Sequence, residues 1–499
     1  MAHPRAELDS QDLSRRVLKL TSILDVAKAM TLERDLETLL PLILHEAAKV
    51  VEADRCSLFI LDRERNELWT KLAQGSTKEI RLPLGSGIAG VVAQTGSVIN
   101  SPDAYADPRF NRTFDLASGY RTRNLLCVPM RGANGGVTGV LQALNKRGGA
   151  FDDEDVELLL ALGAQAAASI ENALLHEEIS QLFEGFVSAS VVAIESRDPT
   201  TAGHSSRVAS LSVGLARALE HVNTGPHAHT RYTPVELQEL RYASLLHDFG
   251  KVGVREAVLV KAEKLYPEEL AILQARFQVA RKDVQLQSYR RRLDAVAVRG
   301  HAALAEIHAE EEARLTEELG RLDGAMEFVL TCNKPTVLAQ GGFERLAELG
   351  ERTFEDAHGA VQPLLLASEL QSLSITRGTL SALERKEIES HVDHTYRFLK
   401  QIPWTRALRG VPEIAYAHLE RMDGTGYPRC IPERTIPVQS RVMAIADIYD
   451  ALTASDRPYK KAVPHVLALD ILGKEATRGQ LDAELLRIFV EADIPRLVR

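Results

Sequence analysis

Apolar residues recur at helical spacing over residues 18–29 and again over 36–51, where Leu39, Leu40, Leu42, Ile43, Ala47 and Val51 fall on one side. The period then shortens. Segments 57–62 and 67–72 flank the polar Arg63-Glu-Arg-Asn66 and predict a β-hairpin. Two further strands are expected at 124–130 and 139–144, around a Gly/Asn turn at 132–136. A long helix follows from Asp152 to about Leu182. Its apolar line continues through Leu175, Ile179, Leu182, Phe183, Phe186, Val187 and Val191, so the helical pattern persists to Glu195. Beyond that point the spacing is helical throughout. One helix opens near His204, with Val208, Leu211, Leu215 and Leu219 on a face. Another opens at Thr233-Pro-Val-Glu236, where a capping threonine, an early proline and a third-position glutamate coincide.

A chain of 499 residues is too long for one core and should divide into two or three domains. The 45% hydrophobic and 26% charged shares are those of an ordinary soluble globular protein. Lys and Arg total 60 against 69 Asp and Glu, a balance of -9, which argues against duplex nucleic acid as a partner. It leaves phosphate substrates open, because bound cations can invert the local field. Cys56, Cys127, Cys332 and Cys430 are scattered and form no CxxC pair, so neither a disulfide framework nor a zinc ribbon is expected. Residues 1–16 lack the apolar centre of a signal peptide, and no apolar run looks long enough to cross a bilayer. A cytoplasmic location is the expectation.

Metal-ligand residue types cluster in four separated segments: Gly203-His204-Ser-Ser-Arg-Val208, His247-Asp-Phe-Gly-Lys251, His418-Leu-Glu-Arg-Met-Asp-Gly-Thr-Gly-Tyr-Pro428 and Ala446-Asp-Ile-Tyr-Asp450. Neighbouring residues on a helix splay by about 100°, so His247 and Asp248 can flank one point, and imidazole with carboxylate suits Mn, Fe, Ni or Zn. Asp447 stands among apolar residues on almost every side. A buried carboxylate there needs a cation or hydrogen-bond partners. Taken singly, a histidine such as His204 reads as a capping or core residue, Asp447 as one half of a structural salt bridge, and Arg457 and Lys460 as an ordinary solvated basic turn; the 418–428 stretch alone is only suggestive.

Over roughly 20–175 the order of helices and antiparallel strands resembles a GAF domain. The residues that carry this are Pro83-Leu-Gly-Ser-Gly-Ile-Ala-Gly90, Asp107-Pro-Arg-Phe-Asn111, Gly119 to Pro129, and Asn145-Lys146 followed by Phe151 and Asp155. The last set is similar to the Asn-Lys-Phe-Asp-Glu signature of cyclic-nucleotide-binding GAF domains, with Val156 at the closing glutamate. The resemblance implies that Lys146 and Asp155 pair to support the fold, and that a small ligand such as a cyclic nucleotide is a candidate partner. A GAF fold that binds nothing and only dimerises is the alternative.

The four ligand-rich segments resemble the HD-GYP phosphohydrolases, whose best-known substrate is cyclic di-GMP. The implied architecture is an α+β GAF domain joined by a long helix to an all-α HD-GYP domain that carries a helical insertion. Its expected parts are a polar segment 1–19, the sensor 20–175, a connecting helix 176–195 and the catalytic domain 196–499. In relatives a Lys-Leu phrase leads to a ligand histidine. Here Lys264-Leu265 leads instead to Arg276, and the phrase restarts so that Leu380 leads to His391, eleven positions on in both cases. An insertion at about 277–377 follows from this, charged and helical, and a candidate dimer or partner surface.

By this resemblance His204, His247, Asp248, His391, His418 and Asp447 ring two divalent transition-metal ions, Fe or Mn ahead of Ni or Zn, with Asp248 bridging. Asp248 and Lys251 are the expected catalytic residues. Lys251, Tyr427, Arg457 and Lys460 are expected at the substrate. Thr200 stands where trinuclear relatives carry a glutamate, which points to two ions rather than three. Leu419 stands where most relatives place a second histidine. The implied activity is hydrolysis of cyclic di-GMP under GAF control, in a homodimer. Two alternatives stay open: a non-catalytic receptor for a cyclic dinucleotide or a protein, with a degenerate metal site, and an HD-type hydrolase of another phosphoester.

Overall fold

The computed structural model describes residue 24 and residues 26–70, 80–197, 202–335, 342–454 and 462–498. Arg457, Lys460, Thr200 and the polar segment 1–19 lie outside the described residues. The chain divides into two compact units, 1–185 and 186–499.

The first unit is built on a six-stranded antiparallel sheet. Its strands are β1 (Ala53–Asp62), β2 (Glu67–Thr70), β3 (Ile80–Pro83), β4 (Ile99–Ser101), β5 (Leu125–Arg131) and β6 (Val137–Lys146). They lie in the order β3-β2-β1-β6-β5-β4. The expected hairpin is β1–β2, with Ile60 opposite Trp69, and the second pair is β5–β6, with Val128 opposite Leu141. Strand β5 is buried at every position except Arg131, because both faces of the sheet are covered. On one face lie α1 (Leu36–Val50) and the start of a long helix, α3 (Asp153–Arg197), which bring Leu39, Ile43, Ala47, Leu159, Leu162 and Ala166 to a shared core. On the other lies α2 (Gly87–Thr95), with Ile88 and Val92 against Phe59 and Leu125. Helix α1 starts where it does because the Asp35 side chain accepts from the Thr38 amide.

Helix α3 corrects one expectation from sequence. It is long and apolar enough, by length and composition, to cross a membrane. Its apolar residues have another use here: Leu158, Leu159, Leu162, Ala166, Ala167, Ile170 and Ala173 are all buried in the sheet core.

The second unit is almost entirely helical. Helices α4 (His204–Ala218), α5 (Pro234–Leu246), α9 (His391–Leu399), α10 (Val411–Tyr416) and α11 (Val438–Thr453) surround the candidate centre. Between α5 and α9 the chain departs into α6 (Pro267–Arg299) and α7 (Leu304–Asn333), a short antiparallel pair of strands β7 (Thr353–Glu355) and β8 (Val361–Pro363), and α8 (Ala382–Glu389). The departing part has its own core, in which Leu265, Leu273, Phe277, Val329, Leu346 and Leu373 meet. That core begins at Leu265, ahead of the edge expected at 277. Arg276 belongs to it, donating to Glu369 at 2.6 Å and to the Leu364 carbonyl. Away from the core, α6 and α7 are clamped by ion pairs, among them Arg291 with Glu311 and Glu318, and Arg292 with Glu312.

The two ends of the excursion are tied together. Lys261 Nζ lies 2.8 Å from Glu384, Tyr266 donates its hydroxyl to the same carboxylate, and Thr379 donates to the Lys261 carbonyl at 2.9 Å. Glu384 also completes the capping box with Ser381 that opens α8. With exit and return pinned at one point, about a hundred residues intervene without displacing the helices on either side.

Candidate metal centre

Five of the six residues of the centre are delivered by helix ends, and Asp447 by a helix interior. His204 is the first residue of α4, after Gly203 in the left-handed region. His247 and Asp248 follow the last turn of α5, and His391 opens α9. His418 lies just past α10, and Asp447 is in the third turn of α11. All six converge. The His204, His247 and His418 rings lie in succession, with centroids 5.4 Å and then 4.9 Å apart, and His391 is 6.1 Å from His418.

Three of the histidines are held in the same way. Nδ1 of His247, His391 and His418 lies 2.6, 2.5 and 2.7 Å from the carbonyls of Ser244, Ile388 and Ala415, each three residues earlier. A carbonyl only accepts, so Nδ1 carries the proton and the Nε2 lone pair faces the cluster. Nε2 of His247 and of His391 has no hydrogen-bond partner among the described residues. Both face Asp248, at 3.5 Å from Oδ2 and 3.3 Å from Oδ1 respectively. Buried lone pairs pointing at carboxylate oxygens are repulsive unless a cation lies between them. That donor set fits a divalent metal.

His204 is oriented differently. Its Nδ1 lies 2.7 Å from Asp450 Oδ2 and its Nε2 lies 3.1 Å from Asp447 Oδ1. Asp450 is in turn gripped by Arg207, Nε to Oδ1 at 2.6 Å and Nη2 to Oδ2 at 3.1 Å. Asp450 and Arg207 were not assigned roles from sequence, although Asp450 ends the segment that supplies Asp447. A carboxylate behind a histidine is the usual way to set a ligand ring's tautomer and angle.

Electrostatics agree with this division. Burial, reinforced by the neighbouring His247, pushes His418 down to about 3, and burial likewise lowers His247. Burial opposes the charge on Asp248, yet Lys251 and His247 beside it hold its carboxyl well below the usual range. Lys251 Nζ lies 2.8 Å from Asp248 Oδ2. Asp248 faces two ways: Oδ2 lies 3.8 Å from His204 Nε2, while Oδ1 faces His391. Three overlapping triads result, His204-His247-Asp248, His247-His418-Asp447 and Asp248-His391-His418. Within each, the ligand atoms lie within 4.8 Å of one another. The arrangement can hold a divalent ion.

The His-Asp turn is locked by residues that carry no motif. Thr395 of α9 donates its hydroxyl to the His247 carbonyl at 3.0 Å and accepts from the Gly250 amide at 2.8 Å. A side chain on Gly250 would collide with the His391 carbonyl and the Thr395 amide. The ring of Phe249 stacks on Phe398 of α9, centroids 3.6 Å apart. The 418–428 turn is likewise braced by internal contacts. Buried Glu420 accepts from the Arg429 and Ile431 amides, Gly424 has φ +76°, and a Cβ on Gly426 would strike the Glu420–Arg421 backbone. Asp423 caps Thr425. Tyr427 is the residue this turn offers to the centre: burial and the carboxylates Glu389, Asp447 and Asp248 all push its hydroxyl upward. Leu419 is half-buried and gives its carbonyl to the Tyr427 amide at 3.2 Å.

Comparison with known proteins matches the GAF domain family over residues 35–170, an HD domain over 201–325 and a second HD domain description over 364–485. The chain carries a GAF domain followed by HD-type sequence. The two HD matches supply one centre between them, since His204, His247 and Asp248 come from the first and His391, His418 and Asp447 from the second.

Among curated proteins, the chain is similar to the cGMP-specific 3',5'-cyclic phosphodiesterase of Drosophila ananassae, 35% identical over 191 residues, covering 35% of this chain. It is also similar to the probable 3',5'-cyclic phosphodiesterase pde-5 of Caenorhabditis elegans, 30% identical over 195 residues. The chain spans 16% and 27% of those proteins. Neither match can contain the whole metal centre, because positions 204 to 447 span more residues than either aligns. Among solved structures, a GAF domain from a Coxiella burnetii phosphoenolpyruvate-protein phosphotransferase covers 32% of this chain at 24% identity, with a TM-score of 0.29.

In the GAF domain the residues singled out from sequence are structural staples. Lys146 is ion-paired with buried Asp155, which also accepts from the Asp152 amide at 2.9 Å. Asn145, at φ +56°, donates to Tyr120 and to the Arg121 carbonyl and accepts from the Arg123 amide.

Proposed function

We propose that this chain is a metal-dependent phosphodiesterase whose substrate is cyclic di-GMP, regulated through its GAF domain and acting as a homodimer. The observation that carries this reading is the ring of six donor residues, Asp248 among them, with the buried Nε2 atoms of His247 and His391 directed inward. Two divalent transition-metal ions, Fe or Mn ahead of Ni or Zn, are the proposed cofactors, held by His204, His247, Asp248, His391, His418 and Asp447. When bound, such a pair supplies Lewis-acid activation of water and neutralises the phosphodiester.

The chain's own residues do the rest. Asp248 presents one carboxylate oxygen to each side of the centre and is the proposed bridge. Lys251, already beside that carboxylate, neutralises and orients the phosphate, and Tyr427 bounds the same space. Arg457 and Lys460 are proposed to hold the second phosphate. In the reaction a water oxygen bonds to phosphorus, the ester P–O bond breaks and the leaving oxygen takes a proton, giving a phosphomonoester and a free hydroxyl. A cyclic nucleotide is the proposed GAF ligand, and α3, which runs from the sheet core into the helical unit, the proposed route of control.

A second substrate reading, cyclic GMP, is favoured by the activity in the names of the curated relatives. A receptor without turnover is the reading favoured by Leu419. One experiment separates the three. The full chain, loaded with Mn or ferrous iron, is assayed on cyclic di-GMP, cyclic GMP and linear dinucleotides. Turnover of cyclic di-GMP is expected. Turnover of cyclic GMP alone would transfer the assignment to the mononucleotide, and binding without turnover would make the protein a receptor.

A further inference from the structure

Helix α6 turns a second apolar line away from its own core. Leu273, Phe277 and Ala280 are buried in that core, whereas Ile272, Val279, Leu286 and Leu293 are 61%, 40%, 48% and 72% exposed. The exposed four stand seven residues apart throughout. Ala275, Lys282 and Tyr289, exposed as well, fall between them, three residues after one and four before the next. On a helix this spacing makes a single line about 30 Å long, and it is the spacing of a seam that meets another helix.

The charge along this seam is of one sign. Lys282 stands in the middle of it, and its ammonium contacts the neutral Gln285 side chain at 3.2 Å. Arg290 borders it, 3.6 Å from Glu355 in a solvated pair of little strength. Other cations of the stretch are held away from the seam, Arg276 by Glu369, Arg291 by Glu311 and Glu318, and Arg292 by Glu312. From Leu270 to Leu293 the one acidic residue is Asp283. It is buried and already accepts from Gln287 and from the Glu355 amide.

We propose that this seam docks an amphipathic helix of another protein, whose own apolar line is flanked by carboxylates, one of them facing Lys282. Any occupant that covers the apolar residues also takes the Lys282 ammonium out of water, and a desolvated cation needs an anionic acceptor. The same seam of a second copy supplies none. Parallel or antiparallel, it brings Lys282 and Arg290 and no exposed acid. A bilayer fails for a different reason: α7, clamped alongside, exposes Glu306, Glu310, Glu312 and Glu317. An anionic leaflet repels these, and a neutral one leaves Lys282 without a counter-charge. None of the seam residues belongs to the metal centre, so the surface is separate from the chemistry proposed above.

The test titrates the full chain with two labelled helical peptides, each about four heptads long, read by fluorescence anisotropy. Both carry isoleucine at a and leucine at d, with glutamate at the flanking positions in one and lysine in the other, so that like charges keep each from pairing with itself. The glutamate peptide should bind, and the lysine peptide about tenfold more weakly or not at all. Leu286→Glu should weaken the glutamate peptide by about tenfold or more. Lys282→Glu combined with Arg290→Glu should reverse the preference, a gain that a misfolded variant does not show, with metal content unchanged in both variants. No binding of either peptide, equal binding of the two, or full binding to Leu286→Glu would overturn the proposal. Two further results would also overturn it: self-association of the chain that Leu286→Glu abolishes, which gives the seam to a second copy, and uptake onto phosphatidylserine vesicles lost in that variant, which gives it to a membrane.

Discussion

Each histidine at the centre is set by what its far nitrogen touches. Three lean on a carbonyl three residues back, near a helix end where backbone carbonyls are free to accept from a side chain. His204 leans instead on a side chain, Asp450, through its Nδ1. Asp450→Asn should therefore weaken metal retention by about ten- to a hundredfold, read by chelator competition, while the helical circular dichroism stays as in the wild type. Unchanged retention would show that Asp450 does not position His204. At this scale the sequence was explicit where a motif names a ligand type and silent where it does not. His247, Asp248, His418 and Asp447 are legible because their spacing is distinctive. Asp450 could have been found one helical turn beyond Asp447, but a helical Asp-x-x-Asp pair is as often a solvated face. Thr395 sits in an ordinary helical stretch, and only packing reveals that it clasps the His247–Gly250 turn.

Elements fix the ligands by how closely they approach. Gly250 touches the N-terminus of α9 so tightly that a methyl group has no room. Gly250→Ala should displace His391 from Asp248, costing about 1–3 kcal/mol of stability together with metal content. Chemical denaturation and metal analysis on one sample decide it, and a variant with normal values of both would mean that α9 is not held through this contact.

The stem of the insertion allows a prediction with a defined pH window. Burial opposes the charge on Glu384, but Lys261, Tyr266 and Ser381 outweigh it and lower its carboxyl from 4.5 to about 2. A depressed acid stabilises the fold only while ionised. Its contribution is complete above about 4.5 and is lost as pH falls from there towards about 2. Glu384→Gln should thus lower the melting temperature at neutral pH and flatten its dependence across that window. A parallel shift at every pH would contradict the clamp.

A repeated phrase is what suggests an insertion in the sequence, since the eleven-residue step to Arg276 recurs at His391. The separately cored part that the structure shows begins earlier, at Leu265, with Leu273 and Phe277 in the same core. The sheet pairs β1–β2 and β5–β6 followed from period-two runs with polar turns. The short β3 and β4 have too few residues to announce themselves.

Across the whole molecule, one centre draws on two separately matched HD segments, and a part with its own core, from Leu265 to Leu373, overlaps the end of the first and the start of the second. Chain order would place His204 and Asp447 at opposite ends of the domain. The contact of α4 with α11 through His204, Arg207 and Asp450 closes that distance. Such closure is not legible in any local pattern, and for that reason a resemblance covering all four segments carried more than any one of them.

The most direct test is the stoichiometry of divalent metal in the full chain after anaerobic loading with Mn or ferrous iron, compared with Asp248→Ala. Two ions per chain are expected, with loss of at least one, and of phosphodiester hydrolysis, in the variant. A wild-type chain that holds no metal, or an Asp248→Ala chain that holds as much as the wild type, would contradict the account.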